Sequence, residues 1–211
     1  MPPAQTSEDH SGLTLLVGGV LAVWLALVFI LGAIGAFVRP PGTVPIPIVL
    51  AVTTPIIVFL VAFALSRSFR DFVLVADPRL MAGIQAWRFA GLGFLALYAE
   101  GVLPGFFAWP AGLGDIAIGV TAPWVIVALI RRPEFKRSPL YVIWNLFGIL
   151  DLIVAVSTGA LSSGMAPGLA GPITTAPMAH LPLVLIPAFL VPIFIILHLA
   201  ALFQNSGKPR G

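Results

Sequence analysis

Hydrophobic and polar positions in this chain alternate on the scale of whole segments rather than single residues. Long apolar runs occupy residues 13–38, 45–65, 81–103, 113–130, 139–160 and 178–203, separated by short stretches rich in Pro, Gly, Arg and Lys. A helix of ~20 apolar residues rising ~1.5 Å per residue crosses the ~30 Å hydrocarbon core of a bilayer. The pattern therefore predicts an all-α, polytopic membrane helix bundle with six transmembrane helices in three hairpins. One transmembrane domain spans 13–203, between polar tails at 1–12 and 204–211.

The separators support these divisions. Pro40, Pro41 and Gly42 cannot continue a helix and read as a tight turn before the second span. Pro55 falls in the middle of that span and predicts a kink. Residues 66–80 mix Arg67, Arg70 and Arg79 with Phe69, Phe72 and Val73, as an interfacial segment does. The stretch 104–114 has Pro, Gly and aromatic residues but no charge, and is read as a re-entrant turn or aromatic belt with Tyr98, Trp109 and Trp124. Gly18, Ala22 and Ala26 recur every four residues on the first helix, and Ala82, Ala86 and Ala90 on the third. Both faces suit close helix packing and are compatible with a homo-oligomer.

Composition agrees with this picture and narrows it. With 59% hydrophobic and 9% charged residues, the chain has too little polar surface for a water-soluble globule, so its solvent is the lipid bilayer. Cysteine is absent, which excludes disulfides, thiolate metal sites and cysteine nucleophiles. The formal charge of +3 sits in short loops rather than a stripe, and points to anionic phospholipid rather than nucleic acid. Arg67, Arg70, Arg79, Arg131, Arg132, Lys136, Arg137, Lys208 and Arg210 fall on one side of the six-span scheme, Arg39 alone on the other, and Arg88 within a span. The positive-inside rule then predicts a cell (inner) membrane protein with both termini cytoplasmic. The 26-residue first run follows an acidic tail without Lys or Arg, unlike a signal peptide, and is read as a retained helix.

Candidate chemistry lies in the polar residues inside the spans. Arg88 and Asp151 both fall close to the bilayer midplane, where either alone costs on the order of 3 kcal/mol, so they are expected to pair. Helical rise places Asn145 and His198 ~8–9 Å to the cytoplasmic side, and Asp115, Glu100 and His180 progressively further outward near the interface. His180 and His198 are eighteen residues apart, five whole turns, so one undistorted helix would carry both rings on one face ~27 Å apart. The segments Trp87-Arg88-x-x-Gly91 and Trp144-Asn145-x-x-Gly148 share a pattern that suggests a duplicated hairpin.

Phosphate-loop, HExxH, GxSxG and GxGxxG motifs are all missing, and Asp115 and Asp151 differ too much in predicted depth for a two-aspartate protease. Three functions stay open. The first is a small proton-coupled or small-solute permease, with Asp151 as the protonatable centre, Arg88 its counter-ion, His198 passing protons inward, and Asp115 with His180 at the outer entrance. The second is a non-catalytic membrane scaffold or assembly subunit in which the polar residues only fix helix register. The third is a b-type haem protein ligated through His180 or His198, with Met81 or Met178 or a second subunit supplying the other ligand. No metal site is indicated.

Overall fold

A computed structural model describes residues 4–40, 42–165 and 171–206, with side chains from residue 12 onward. Among the described residues there are helices and turns but no strands, and six helical stretches are long and apolar enough to cross a membrane. These are Gly12–Ala33, Ile46–Leu65, Pro78–Ala99, Gly105–Arg131, Pro139–Met165 and Ile186–Asn205. The chain is a multi-pass helical membrane protein. Lys208, Arg210 and the middle of the loop at 161–177 lie outside the described residues.

Local chemistry sets most helix ends. Helix α1 (Ala4–Ala33) gives way to a turn in which Gly35 takes a φ of +73°, a left-handed value that favours glycine. Helix α2 (Ile46–Leu65) has Pro47 in its first turn, where the missing N–H costs nothing, and carries Pro55 inside. Ser66 stops α2 and caps the amphipathic helix α3 (Arg67–Val75), its hydroxyl accepting from the Phe69 N–H at 3.2 Å. Arg70 reaches back to the last carbonyls of α2, those of Phe63 and Ala64, at 3.0 and 2.7 Å. The expected interfacial segment is thus a helix fastened to the end of the second span. Asp77 caps the next helix, α4 (Pro78–Gln85), and its exposed carboxylate is chelated by Arg79. That side-chain hydrogen bond holds the Asp77 carboxyl below the usual carboxylate range.

The third span is not one uniform helix: a 3-10 segment at Ala86–Gly91 joins α4 to α5 (Leu92–Ala99). The fourth differs from expectation. Helix α6 runs over Gly105–Arg131, so the uncharged stretch at 104–114 is the first part of a transmembrane helix and not a re-entrant turn. Nothing charged interrupts it, and Pro104 immediately precedes the helix without needing to donate to it. Helix α7 covers Pro139–Ala160, with Ser138 accepting from the Tyr141 N–H as its cap.

The sixth span departs furthest. A 3-10 turn at Ala176–Ala179, an extended His180, a wide π-helical turn at Ile186–Leu190 and then α8 (Val191–Ser206) replace the expected single helix. Pro177, Pro182 and Pro187 each lack an N–H and clash with the preceding turn, so 178–190 cannot sustain regular hydrogen bonding. His180 and His198 therefore do not share a helix face.

The two ends of the bundle are tied separately. At one end Gln204 donates to the carbonyls of Val73 and Ala76, and Asn205 to that of Lys136. At the other, the turn after α1 meets the turn after α7, where a side chain on Gly164 would come within 3.2 Å of the Gly42 nitrogen. Between them, the core is built mainly by α4 to α8 and filled by Phe94, Leu103, Phe107, Leu152, Phe194 and their neighbours.

Candidate functional site

Arg88 is the centre of the buried polar network. It leaves the third span from the 3-10 segment with only 2% of its surface exposed, a position tenable only if its charge and donors are met within the bundle. Its Nε donates to Asp115 Oδ1 at 2.7 Å and its Nη2 to Asp151 Oδ2. The Nη1 group faces His198 Nε2 at 3.1 Å and the Gly148 carbonyl at 3.4 Å. Four of the five N–H bonds of the guanidinium thus have acceptors, and its Cζ lies 5.8 Å from the centre of the Phe194 ring.

This arrangement fixes the histidine tautomer. Arginine has no acceptor, so His198 Nε2 must present a lone pair, and the proton of the neutral ring lies on Nδ1. There it donates to Asn145 Oδ1 at 2.9 Å, while the Asn145 amide donates to the Tyr141 carbonyl at 2.8 Å. An ordered chain of hydrogen bonds runs from the two carboxylates through Arg88, His198 and Asn145 to the backbone of α7. Trp144 closes against the histidine, with ring centroids 5.3 Å apart.

Glycines make the approach possible. Gly112, Asp115 and Gly119 lie at i, i+3 and i+7, on one face of α6. A methyl group on Gly112 would overlap Leu95, one on Gly119 the backbone at Phe89, and one on Gly91 the side chain of Asp115. The third span and α6 therefore touch nearly backbone to backbone, which brings Asp115 within reach of Arg88. On α7, the position of Gly148 leaves room only for the His198 ring; Gly114 likewise makes room for the Asp151 carboxylate. The two Trp-x-x-x-Gly segments now have a shared physical meaning: each sends a polar residue, Arg88 or Asn145, into the network and clears space with the glycine three positions on.

Five expected residues, Arg88, Asp115, Asn145, Asp151 and His198, converge. The placement of Asp115 near the outer interface is corrected: its side chain is 14% exposed and bound to Arg88, because α6 begins eight residues earlier than its apolar run suggested. Glu100 and His180 stay outside the network. Glu100 is an exposed residue at the end of α5, and His180 is exposed, its Nδ1 hydrogen-bonded to the Ala176 carbonyl at 3.2 Å. One buried polar residue joins the neighbourhood without having been singled out: Gln85, which donates to the Phe194 carbonyl at 3.1 Å while its Oε1 has no partner among the described residues. Its spacing from Arg88, three residues on the same face, was the available signal.

A cavity of about 150 Å³ reaches this network from the end of the bundle that carries Arg39 and His180. Phe94, Phe107, Leu152 and Met178 line it, and Asp115 is its one acidic wall. His198 has no nitrogen left for a haem iron. Both of its nitrogens are engaged, by Arg88 and Asn145. Among the described residues no three His, Asp or Glu side chains converge as metal ligands.

Fold and site together define a six-span helical membrane protein with a buried ionic network. Residues 45–204 match the model of a family described as a domain of unknown function, DUF8737, and the chain belongs to that family. The match begins at the cap of α2 and takes in every residue of the network. No curated protein and no solved structure matches the chain.

Proposed function

We propose that the protein is a small proton-coupled permease whose coupling centre is the pair Asp115 and Asp151 bridged by Arg88. Charge balance carries this reading. Two carboxylates share one guanidinium, and the histidine beside them is neutral, so with both carboxylates ionised the network would hold one negative charge more than it can pair. An unpaired charge at this depth costs several kcal/mol, which a proton or a bound cation would remove. Asp115 meets the cavity, whereas His198 on the far side of Arg88 is packed against Trp144 and bonded to Asn145. Exchange between such a state and one open at the other end is what alternating access requires, and the proline-loosened segment at Ile186–Leu190 offers a place for α8 to move.

Reconstitution tests it. Proteoliposomes loaded with a pH-sensitive dye should acidify faster than empty vesicles under an imposed proton gradient, and Asp151→Asn should return the rate to the vesicle background. A wild-type rate equal to that of empty vesicles, across inhibitor-free gradients of both signs, would overturn the proposal. The close glycine contacts favour the second reading, a scaffold whose ionic network sets helix register, and that is the reading left standing in such a case.

The orientation proposed is both termini cytoplasmic, on the strength of Arg67, Arg70, Arg79, Arg131, Arg132, Lys136 and Arg137 gathering at the bundle end opposite Arg39. The cysteine-free chain makes the check direct. In intact cells an impermeant maleimide should label Thr43→Cys and spare Arg137→Cys; the reverse pattern would invert the topology.

A further inference from the structure

The cavity has a composition that selects a kind of ligand. Its walls are mostly apolar, with Thr43, Ser163, Thr174 and Thr175 among them, and ~150 Å³ is room for a benzene-sized group. Its acidic wall, Asp115, spends Oδ1 on Arg88, while Oδ2 has no hydrogen-bond partner among the described residues. Behind that oxygen a second carboxylate, Asp151, shares the same guanidinium, so with both ionised one negative charge would be left over. Arg39 stands exposed at the mouth, where solvent screens it, rather than at the base. An anion entering this space would leave its charge beside Asp115; a molecule without a donor would leave Oδ2 unpartnered.

From this geometry we infer that the cavity binds a small lipophilic ammonium ion, a monoamine with one ring-sized apolar group, its nitrogen on Asp115 and its hydrocarbon against Phe94, Phe107, Leu152 and Met178. The ammonium group neutralises the network as a proton would, so the two compete for the same charge deficit. That competition is the exchange a proton-coupled carrier of amines needs, and to this extent the inference rests on the function proposed above. Binding itself does not depend on transport.

The test uses the full-length protein in detergent and three ring-matched probes: benzylamine, benzyl alcohol and benzoate, titrated calorimetrically at neutral pH. Benzylamine is expected to bind at least tenfold more tightly than either of the others, and Asp115→Asn to abolish that preference. A second variant, Val156→Phe, fills the cavity from α7 without touching the ionic network. It should weaken benzylamine at least tenfold, and it decides the matter if Asp115→Asn does not fold. Equal affinity for benzylamine and benzyl alcohol, a preference for benzoate, or undiminished binding by folded Val156→Phe would each overturn the inference. Proton flux measured with benzylamine present, after reconstituting the same protein into liposomes, separates the two proposals. Flux without amine binding sinks the amine site alone, and amine binding without flux sinks the permease alone.

Discussion

The first two spans and the last four are made of similarly apolar sequence, yet they occupy different environments. Only 11% of the residues in the most apolar window of each of the first two spans are buried, against 28–33% for spans three to five and 50% for the sixth. Among the described side chains, no buried polar one comes from α1 or α2, whereas Gln85, Arg88, Asn145, Asp151 and His198 all belong to the later four. Phe29, Ile30, Ile57 and Val58 face outward, toward lipid in the membrane. In a bilayer, apolar surface gains nothing from burial against other apolar surface, so helices associate through close van der Waals fit and polar contacts. The later spans have both, in their glycine contacts and the Arg88 network. The early pair has chiefly fit, as where Trp24 meets Phe189 edge-on at 4.8 Å.

The sharpest way to break this comparison is to remove the charge at the centre of the polar half. Arg88→Leu leaves two buried carboxylates without a counter-ion, and breaking a buried ion pair by removing one partner costs about 3–5 kcal/mol. Thermal unfolding in detergent, followed by circular dichroism, should show most of the variant unfolded or strongly destabilised. Val23→Ala, on the outward face of α1, should shift stability by less than about 0.5 kcal/mol. Adding Asp115→Asn and Asp151→Asn to Arg88→Leu makes the site neutral and should recover a large part of the loss. A mild effect of Arg88→Leu alone would mean that the network is hydrated and the contrast between the halves is not electrostatic.

How much of this was legible in the sequence follows from which forces act locally. Length and apolarity disclosed the six spans, and α7 begins and ends at the expected residues because Ser138 and Pro139 mark its start chemically. The pairing of Arg88 with Asp151 was legible because counting along the spans puts both near the middle, where each would need a counter-charge. The role of Asp115 was not, since its depth was counted from the wrong helix start: an uncharged aromatic stretch looks the same at an interface as inside a span. Gly112 and Gly119, flanking Asp115 on one face, held the missing information, since glycines at that spacing mark where a neighbouring backbone comes close. The histidines misled in the opposite way. Eighteen residues is a whole number of turns only if the helix is continuous, and Pro182 and Pro187 interrupt it. The cavity was beyond reach of sequence reasoning, for its walls come from the turn after α1 and from five different spans.

A smaller perturbation sharpens the comparison at the level of one methyl group. Gly148 on α7 is so close to His198 that an added Cβ would overlap the ring, and the ring is held on its other edges by Arg88, Asn145 and Trp144. It cannot yield without surrendering a hydrogen bond, so Gly148→Ala should destabilise by about 1–3 kcal/mol, the range for overpacking a close-packed core. Gly18 on α1 has nothing within 4 Å of the same added carbon. There the substitution removes a flexible residue from a helix interior and should stabilise by up to about 1 kcal/mol. Opposite signs for one chemical change, read as melting temperatures of the two variants under identical detergent, would locate the tight packing in the later spans. Destabilisation by Gly18→Ala would show instead that the outward face of α1 meets a protein surface, in which case the early half of the bundle is bound by fit as close as the later half.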